Sequence, residues 1–309
     1  MHGDRAVAAM PAAAPQHWDF ATLAARLAAL PADTRFVDFP GNAGDALIAG
    51  GTHQVLEAHG LRFAEHALEA PLPEGASVVL AGGGNFVPYY DHVARFLEAG
   101  IGRLARIVLL PTTVRGNEAL LARLPAGCLV VVRDLESYAH CQAHLGAAEL
   151  ALCPDMAFAW TKPRHDAALR KALPQALSGL SASGVYPWRY LAKSARVFWQ
   201  ARALRRAGGR LSALRTDAET TGHALPAGNI DLSEVFRPRR TDRAGALMAV
   251  EALCRFMAPF ETIETSRLHI AILAAHLGKR VLVTDNAYGK LRAVLALAPP
   301  ALQARIDFL

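Results

Sequence analysis

The sequence has few charged residues, and it lacks both paired cysteines and long uncharged stretches. Its 4 cysteines are scattered along 309 residues without a Cys-x-x-Cys pair, so neither a disulfide framework nor a cysteine zinc site is indicated. No uncharged stretch approaches the roughly 20 residues that a membrane-spanning helix needs. We therefore expect a soluble protein of a reducing compartment.

The N-terminal segment also lacks the pattern of a secretion signal. After Arg5 the apolar run from Ala6 to Met10 is interrupted by Pro11 and Pro15, so it is shorter than an apolar signal core of about 7–15 residues. We expect residues 1–17 to form a loose tail and the protein to stay in the cytoplasm.

The composition suits a folded enzyme with a basic surface. Hydrophobic residues make up 52% and charged residues 19%, which allows a sizeable core and, at this length, two domains. The net charge of +6 is either a solvated basic face or an attraction to phosphates or anionic lipid. No nucleic-acid motif accompanies it, so we expect no nucleic-acid partner. The local excess lies in two runs: Arg202, Arg205, Arg206 and Arg210, then Arg237, Arg239, Arg240 and Arg243.

Short apolar runs alternate with helical patterns along the chain. This rhythm predicts an α/β fold with parallel sheets covered by helices on both faces. We expect two doubly wound, Rossmann-like domains facing each other across a cleft, residues 1–190 and residues 191–309. The predicted strands are Arg35–Phe39, Ser77–Leu80, Arg106–Leu110, Cys128–Val132, Ala151–Cys153, Leu211–Arg215, Phe260–Thr265 and Lys279–Thr284, and the predicted helices include Ala46–Leu56, Asp242–Met257, Leu268–Leu277 and one from about Lys290.

Unusual residues follow several predicted strands, which is where ligands bind in such sheets. Gly41–Asp45 leads into a helix, where Asp45 can cap the first turn and the free N–H groups can hold an anion; a plain strand-to-helix turn is the alternative. Three glycines and Asn85 follow the second strand, which indicates close approach to the backbone at Gly83 and Gly84. Arg133 and Arg215 end two further strands.

The run from Ser266 to His269 carries the strongest signal. It opens a helix that is apolar on every side, where Arg267 and His269 are costly to bury unless they meet anions. Residues two apart point in nearly opposite directions within a helix, so the two side chains converge only if Arg267 precedes the first helical residue, with Ser266 near the cap. Lys290 opens the last helix against the helix dipole, which also favours a bound anion.

Together these motifs resemble the polysaccharide pyruvyl transferase family. The resemblance spans about residues 35–295 and rests on Gly41–Asp45, Gly82–Asn85, Arg133–Asp134, Asp155–Phe158, Arg215 with Asp217, Ser266–His269, and Asn286 with Lys290. It implies a fold like that of GT-B glycosyltransferases. It also implies transfer of a pyruvyl group from phosphoenolpyruvate to two hydroxyls of one sugar as a cyclic ketal, without a cofactor or metal.

The resemblance places Arg267, Leu268 and His269 at the donor site with a second arginine, for which Arg133 and Arg215 compete. His269 then serves as the proton donor and Asp45 orients or deprotonates the acceptor. Ser266, Asn42, Gly83, Gly84, Asn85, Asn286 and Lys290 complete the expected substrate-binding set. The acceptor is a saccharide of an exopolysaccharide repeat unit, free or lipid-linked.

Two other readings of the same residues stay open. A glycosyltransferase using a nucleotide sugar fits the same architecture, and a non-catalytic saccharide or lipid-phosphate binding protein would bind without turnover. The aromatic and basic segment from Tyr186 to Trp199 is either an interdomain linker or a peripheral contact with the inner face of the cytoplasmic membrane.

Overall fold

Two parallel sheets organise the chain. The computed structural model describes residues 15–39, 41–162, 209–217, 224–238, 243–285 and 289–309. The first sheet has the strand order β2-β1-β3-β5-β6-β7, and β4 adds to it beside β5. Its strands are β1 (Arg35–Val37), β2 (Ala64–His66), β3 (Ser77–Leu80), β4 (Gly83–Phe86), β5 (Arg106–Val114), β6 (Cys128–Val132) and β7 (Glu149–Leu152).

Within the described residues, the second sheet has four strands in the order β11-β10-β9-β8, and every pairing among them is parallel. Helices lie between most successive strands, whereas β2, β3 and β4 follow one another without an intervening helix. The strands are β8 (Arg210–Ala213), β9 (Thr262–Thr265), β10 (Arg280–Val283) and β11 (Ile306–Phe308).

The helices of the described residues alternate with these strands. They are α1 (Phe20–Ala28), α2 (Ala43–Ala58), α3 (His92–Gly100), α4 (Glu118–Leu121), α5 (Leu135–His144), α6 (Leu232–Val235), α7 (Arg243–Met257), α8 (Leu268–His276), α9 (Lys290–Leu295) and α10 (Pro300–Gln303), with a short 3-10 helix at Met156–Ala159. This arrangement confirms the predicted α/β class with parallel sheets.

Helix α2 packs against elements from both halves of the chain. It contacts the 3-10 helix after β7, and it also contacts α6, α7 and α8 of the second half. Two adjacent glycines allow the first contact, because a Cβ on Gly51 would lie 1.9 Å from the carbonyl oxygen of Met156. Helix α8 is buried along most of its length, as its all-round apolar sequence predicts, and Gly278 follows it with a φ of 76°.

Several predicted boundaries needed correction. The glycine run after β3 is not simply a turn, because Gly83–Phe86 forms β4 beside β5. Strand β5 extends to Val114, beyond the predicted end. Residues 15–17, placed in the predicted tail, lie beside β7, where His17 forms a bridge with Leu152.

Other predictions of domain organisation remain predictions. The expected boundary at residues 190 and 191 lies outside the described residues, as do the segment 186–199 and residues 1–14. The predicted two-domain, GT-B-like cleft therefore stays an expectation. Among the described residues, no helix combines the length and the apolar character that crossing a membrane requires.

The packing of α2 on the 3-10 helix predicts different effects for substitutions at two neighbouring glycines. Alanine normally favours a helix over glycine by about 1 kcal/mol. At Gly51 the new methyl group meets backbone, so we expect Gly51→Ala to lower the free energy of unfolding by about 2 kcal/mol or more. Gly50→Ala is the control, because its Cβ meets only the Trp160 ring, at 3.2 Å. Urea unfolding of both variants tests this; equal stabilities would contradict the packing.

Candidate active site

A polar pocket lies where the carboxyl ends of strands from both sheets converge. Its empty space is about 530 Å³, open mouth included. Strand β4 and the segments that follow β1, β8, β9 and β10 supply most of its wall, as expected for parallel sheets. The lining residues are Asn42, Asp45, Gly84, Asn85, Tyr90, Arg215, Ser233, Arg267, Leu268, His269, Lys290 and Leu291.

Arg267 and His269 meet the geometric condition for serving one pocket. Helix α8 begins at Leu268, and Arg267 precedes it in an extended conformation with φ −102° and ψ 115°. Arg267 therefore lies outside the helix, where its side chain need not point away from that of His269. Both side chains line the pocket, and the His269 side chain is 13% exposed.

His269 rests on a buried ion pair from the first sheet. Arg133 follows β6 and Asp155 follows β7, and both side chains are 0% exposed. The Asp155 Oδ2 atom accepts a hydrogen bond from Arg133 Nη1 at 2.5 Å and lies 3.4 Å from His269 Nε2. Thr113 Oγ1 accepts from Arg133 Nε at 2.9 Å. Arg133 Nη1 also lies 3.5 Å from His269 Nε2, so both members of the ion pair face the same ring nitrogen and position the imidazole in the wall.

Burial alone would raise the pKa of Asp155, because it disfavours the charged carboxylate. The Arg133 guanidinium and the His269 contact outweigh burial, and they hold the pKa of Asp155 well below its usual range. Asp155 also caps the 3-10 helix by accepting from Ala157 N at 2.7 Å. The carboxylate therefore remains ionised beside His269 at neutral pH.

Gly44 and Gly84 bring cations and the imidazole close to the backbone. A Cβ on Gly44 would lie 2.7 Å from His269 Nδ1, so the first turn of α2 leaves room for the ring. A Cβ on Gly84 would lie 2.7 Å from Lys290 Nζ and 3.4 Å from Arg133 Nη2. The Nη2 atom is buried without a hydrogen-bond partner among the described residues. Two positive groups thus lie beside the same glycine.

Arg267 is held by carboxylates of the second half. Its Nε and Nη2 donate to the two oxygens of Asp231 at 3.0 and 2.6 Å, and its Nη1 donates to Asp217 Oδ2 at 2.7 Å. Asp217 also accepts from Arg215 Nε at 2.8 Å. Burial would lower the pKa of Arg267, but the hydrogen bond and charge of Asp231 raise it overall. Both arginines therefore stay charged and fixed at the pocket wall.

The N-terminus of α2 is capped by side chains of its own first turn. Asn42 Oδ1 accepts from Gly44 N at 2.7 Å, and Asp45 Oδ2 accepts from Asn42 N at 2.7 Å. These two bonds form a capping box, so the predicted capping role of Asp45 is confirmed. The carboxylate nevertheless lines the pocket.

Of the thirteen predicted site residues, nine line the pocket. Arg133 and Gly83 lie behind its wall. Ser266 is the neighbour of the cap residue Arg267, as expected, and its hydroxyl oxygen accepts from Arg215 N at 3.0 Å. Asn286 lies outside the described residues. The nine are Asn42, Asp45, Gly84, Asn85, Arg215, Arg267, Leu268, His269 and Lys290.

Sequence reasoning missed residues whose importance depends on the tertiary fold. Tyr90, Ser233 and Leu291 line the pocket without a motif around them. Asp231 was also missed, although a buried aspartate at the start of a short helix is a usable signal. Within the described part of the pocket, His269 and Asp45 are the metal-ligating side chains of the wall, and no group of three forms there.

Comparison with known proteins gives three findings. The sequence model of a family described as polysaccharide pyruvyl transferase matches residues 42–288. A Bacillus subtilis (strain 168) protein named "Putative pyruvyl transferase EpsO" is 28% identical over 282 residues, 82% of this chain and 82% of that protein. The crystal structure of KP1_0663, an uncharacterized protein from Klebsiella pneumoniae subsp. pneumoniae NTUH-K2044, matches with TM-score 0.68 over 93% of this chain and 96% of that one. At 23% identity, this last likeness bears on the fold alone.

The depressed pKa of Asp155 predicts a pH-dependent contribution to stability. A carboxyl whose pKa is lowered by folding stabilises the protein above its ordinary pKa of 3.8, and this stabilisation is lost as the pH falls below that value. Asp155→Asn keeps the cap and shape but leaves Arg133 unpaired, so we expect a loss of about 3–5 kcal/mol at pH 7. The difference from wild type should shrink at pH values below 3.8.

Urea unfolding of both proteins at neutral and acidic pH measures this difference. Asp19→Asn is the control, because Asp19 is an exposed cap and asparagine caps helices about as well as aspartate. A difference between Asp155→Asn and wild type that stays constant with pH would show that the carboxylate charge does not stabilise the fold.

Proposed function

The chain belongs to the polysaccharide pyruvyl transferase family, and from that premise we propose that it transfers the pyruvyl group of phosphoenolpyruvate to two hydroxyls of a saccharide, forming a cyclic ketal. The observation that carries this proposal is the set of charged groups on one pocket wall: Arg215, Arg267 and Lys290 beside His269. Phosphoenolpyruvate bears a phosphate and a carboxylate on either side of one carbon, so it needs separate cationic anchors and one acid.

The two arginines suit the anchor role because they are already oriented. Asp217 and Asp231 fix Arg267, and Asp217 also holds Arg215, so neither guanidinium must be ordered when substrate arrives. Guanidinium groups bind carboxylates and phosphates through paired N–H donors. Arg215 lines the pocket and Arg133 lies behind it, so we assign the second donor arginine to Arg215.

Lys290 supplies the third anchor. Its Nζ approaches Gly84, where a side chain would collide with the ammonium group. The Arg133 guanidinium lies behind the same glycine and adds positive potential. We assign the phosphate to the part of the pocket beside Lys290 and Gly84, since the leaving group carries the greatest charge.

His269 acts as the acid in this proposal. Its imidazolium donates a proton to the methylene carbon of phosphoenolpyruvate, which becomes a methyl group and leaves a cation at C2. Asp155 Oδ2 lies 3.4 Å from Nε2 and holds the ring in the pocket wall. Arg133 neutralises Asp155 in turn, so the pair orients the ring without adding net charge.

Two hydroxyl additions complete the reaction. The first hydroxyl bonds to C2, the C2–O bond to phosphate breaks, and the neighbouring hydroxyl then closes the ketal. Two hydroxyl protons are released: one restores the His269 imidazolium, and the other leaves with phosphate. Asp45 lies on the wall beside Asn42 and is the carboxylate placed to accept a hydroxyl proton.

The acceptor enters from the open mouth of the pocket. Tyr90 lines it with 41% of its surface exposed, and Tyr89 beside it is 63% exposed. Exposed tyrosines provide a flat apolar face with a polar tip, which suits a sugar ring. We propose a saccharide of a polysaccharide repeat unit, and lipid linkage with peripheral membrane contact remains part of this proposal. The family match does not favour a nucleotide-sugar glycosyltransferase or a non-catalytic binding protein.

The proposal predicts that loss of one residue lowers turnover, whereas loss of another weakens substrate binding. His269→Ala should keep phosphoenolpyruvate binding but lower kcat for phosphate release by about 10²–10⁴-fold, the usual value of an acid catalyst. Lys290→Ala should weaken phosphoenolpyruvate binding by about tenfold or more, because a charge-assisted contact is lost. Calorimetry measures binding, and phosphate release is measured across a panel of free and lipid-linked saccharides.

Lys279→Ala is the matched control, since Lys279 is exposed, contacts Ala258 O and lies outside the pocket lining. The control should bind and turn over like wild type. Tighter binding of nucleotide sugars than of phosphoenolpyruvate, or wild-type turnover by His269→Ala, would overturn the assignment.

A further inference from the structure

A second cluster of ligand-type side chains lies outside the pocket. His140 and His144 are four residues apart on α5, and Glu118 is the first residue of α4. Each offers one ligand atom, and these atoms lie within 4.8 Å of one another. We propose that Glu118, His140 and His144 bind a divalent transition-metal ion, of which Zn²⁺ is the representative.

The helix explains why the two imidazoles converge. Residues four apart lie on the same face of a helix, and the ring centroids of His140 and His144 are 4.9 Å apart. Two imidazoles and one carboxylate form a ligand set that Zn²⁺ takes with water at the fourth position. Ligand atoms around tetrahedral zinc are about 3.3 Å apart, from bonds of about 2.0–2.1 Å. Small side-chain rotations close the remaining distance.

Part of the cluster is already ordered. His140 Nε2 lies 2.9 Å from Gly116 O. Ligating histidines commonly use their second ring nitrogen to contact a backbone carbonyl, which fixes the ring and here assigns His140 Nδ1 to the ion. Gly116 and Asn117 both have a φ of 62°, and this tight backbone turn presents Glu118 to α5. Glu118 and His144 are exposed and His140 is half-buried, so the cluster lies at the surface, where an ion can reach it.

The ligand chemistry selects the class of cation. Imidazole nitrogens favour zinc, copper or nickel, whereas Mg²⁺ prefers oxygen ligands. The cysteines do not compete, because burial raises the pKa of Cys128 to about 11 and those of Cys141, Cys153 and Cys254 to about 12.

The bound ion would join α4 to α5. Arg115 already links this loop to α5 through Asp134 at 3.1 Å and Glu136 at 2.6 Å. None of the three proposed ligands lines the active-site pocket, so the site is independent of the proposed function. Its expected effect is to stabilise the loop and helix that follow β5 and β6.

Zinc calorimetry on the metal-stripped full chain tests the site. The variants are His144→Ala and Glu118→Gln, and the control is His59→Ala, which removes an exposed histidine at the end of α2. Wild type and the control should share one tight Zn²⁺ equivalent. Each ligand variant should weaken that equivalent by about 10–100-fold or more, judged from losses of metal-site residues.

A second readout keeps the test independent of activity. Zn²⁺ should raise the melting temperature of wild type and of the control but not of the ligand variants, because an ion that binds only the folded state stabilises it. Mg²⁺ should have no such effect. Equal zinc affinity in wild type and both ligand variants, or equal weakening by His59→Ala, would overturn the proposal and indicate adventitious binding to surface histidines.

Discussion

The active-site wall depends on the contacts of one buried carboxylate, that of Asp155. It lies after β7 of the first sheet, and it contacts Arg133 on one side and His269 of the second half on the other. An isolated charge buried this deeply would be very costly, so each member of the group requires the others. The contacts that pack the two halves against each other therefore also position the imidazole.

The second half repeats this arrangement of cations held by carboxylates. Asp217 and Asp231 hold Arg267 as Asp155 holds Arg133, and in each case the acid lies on a different segment from the base. Such pairs contribute little net stability compared with apolar packing, but they fix the direction of a guanidinium. A site that must bind two anionic groups benefits from this, because donors ordered before binding need not be reorganised during reaction.

Strong local patterns made much of the fold predictable. Ser77–Leu80 and Cys128–Val132 are buried apolar strands whose ends the sequence located correctly. The start of α8 at Leu268 meets the condition that Arg267 precede the helix, which followed from the opposite directions of helical residues two apart. Strands β2 and β11 are three residues long and β4 contains two glycines, so their formation depends on neighbouring strands rather than on their own sequence. The partners of Arg133 could not be predicted, because Asp155 and His269 are brought to it only by the tertiary fold.

Replacing the buried ion pair as a unit tests the central claim most directly. Arg133→Met, Asp155→Leu and the double variant are compared with wild type by urea unfolding and by phosphate release. If the pair places His269, the double variant should be more stable than either single variant, since no buried charge is left unpaired, yet its turnover should remain as low as theirs. Additive losses of stability, or wild-type turnover in the double variant, would contradict the claim that this pair holds the active-site wall.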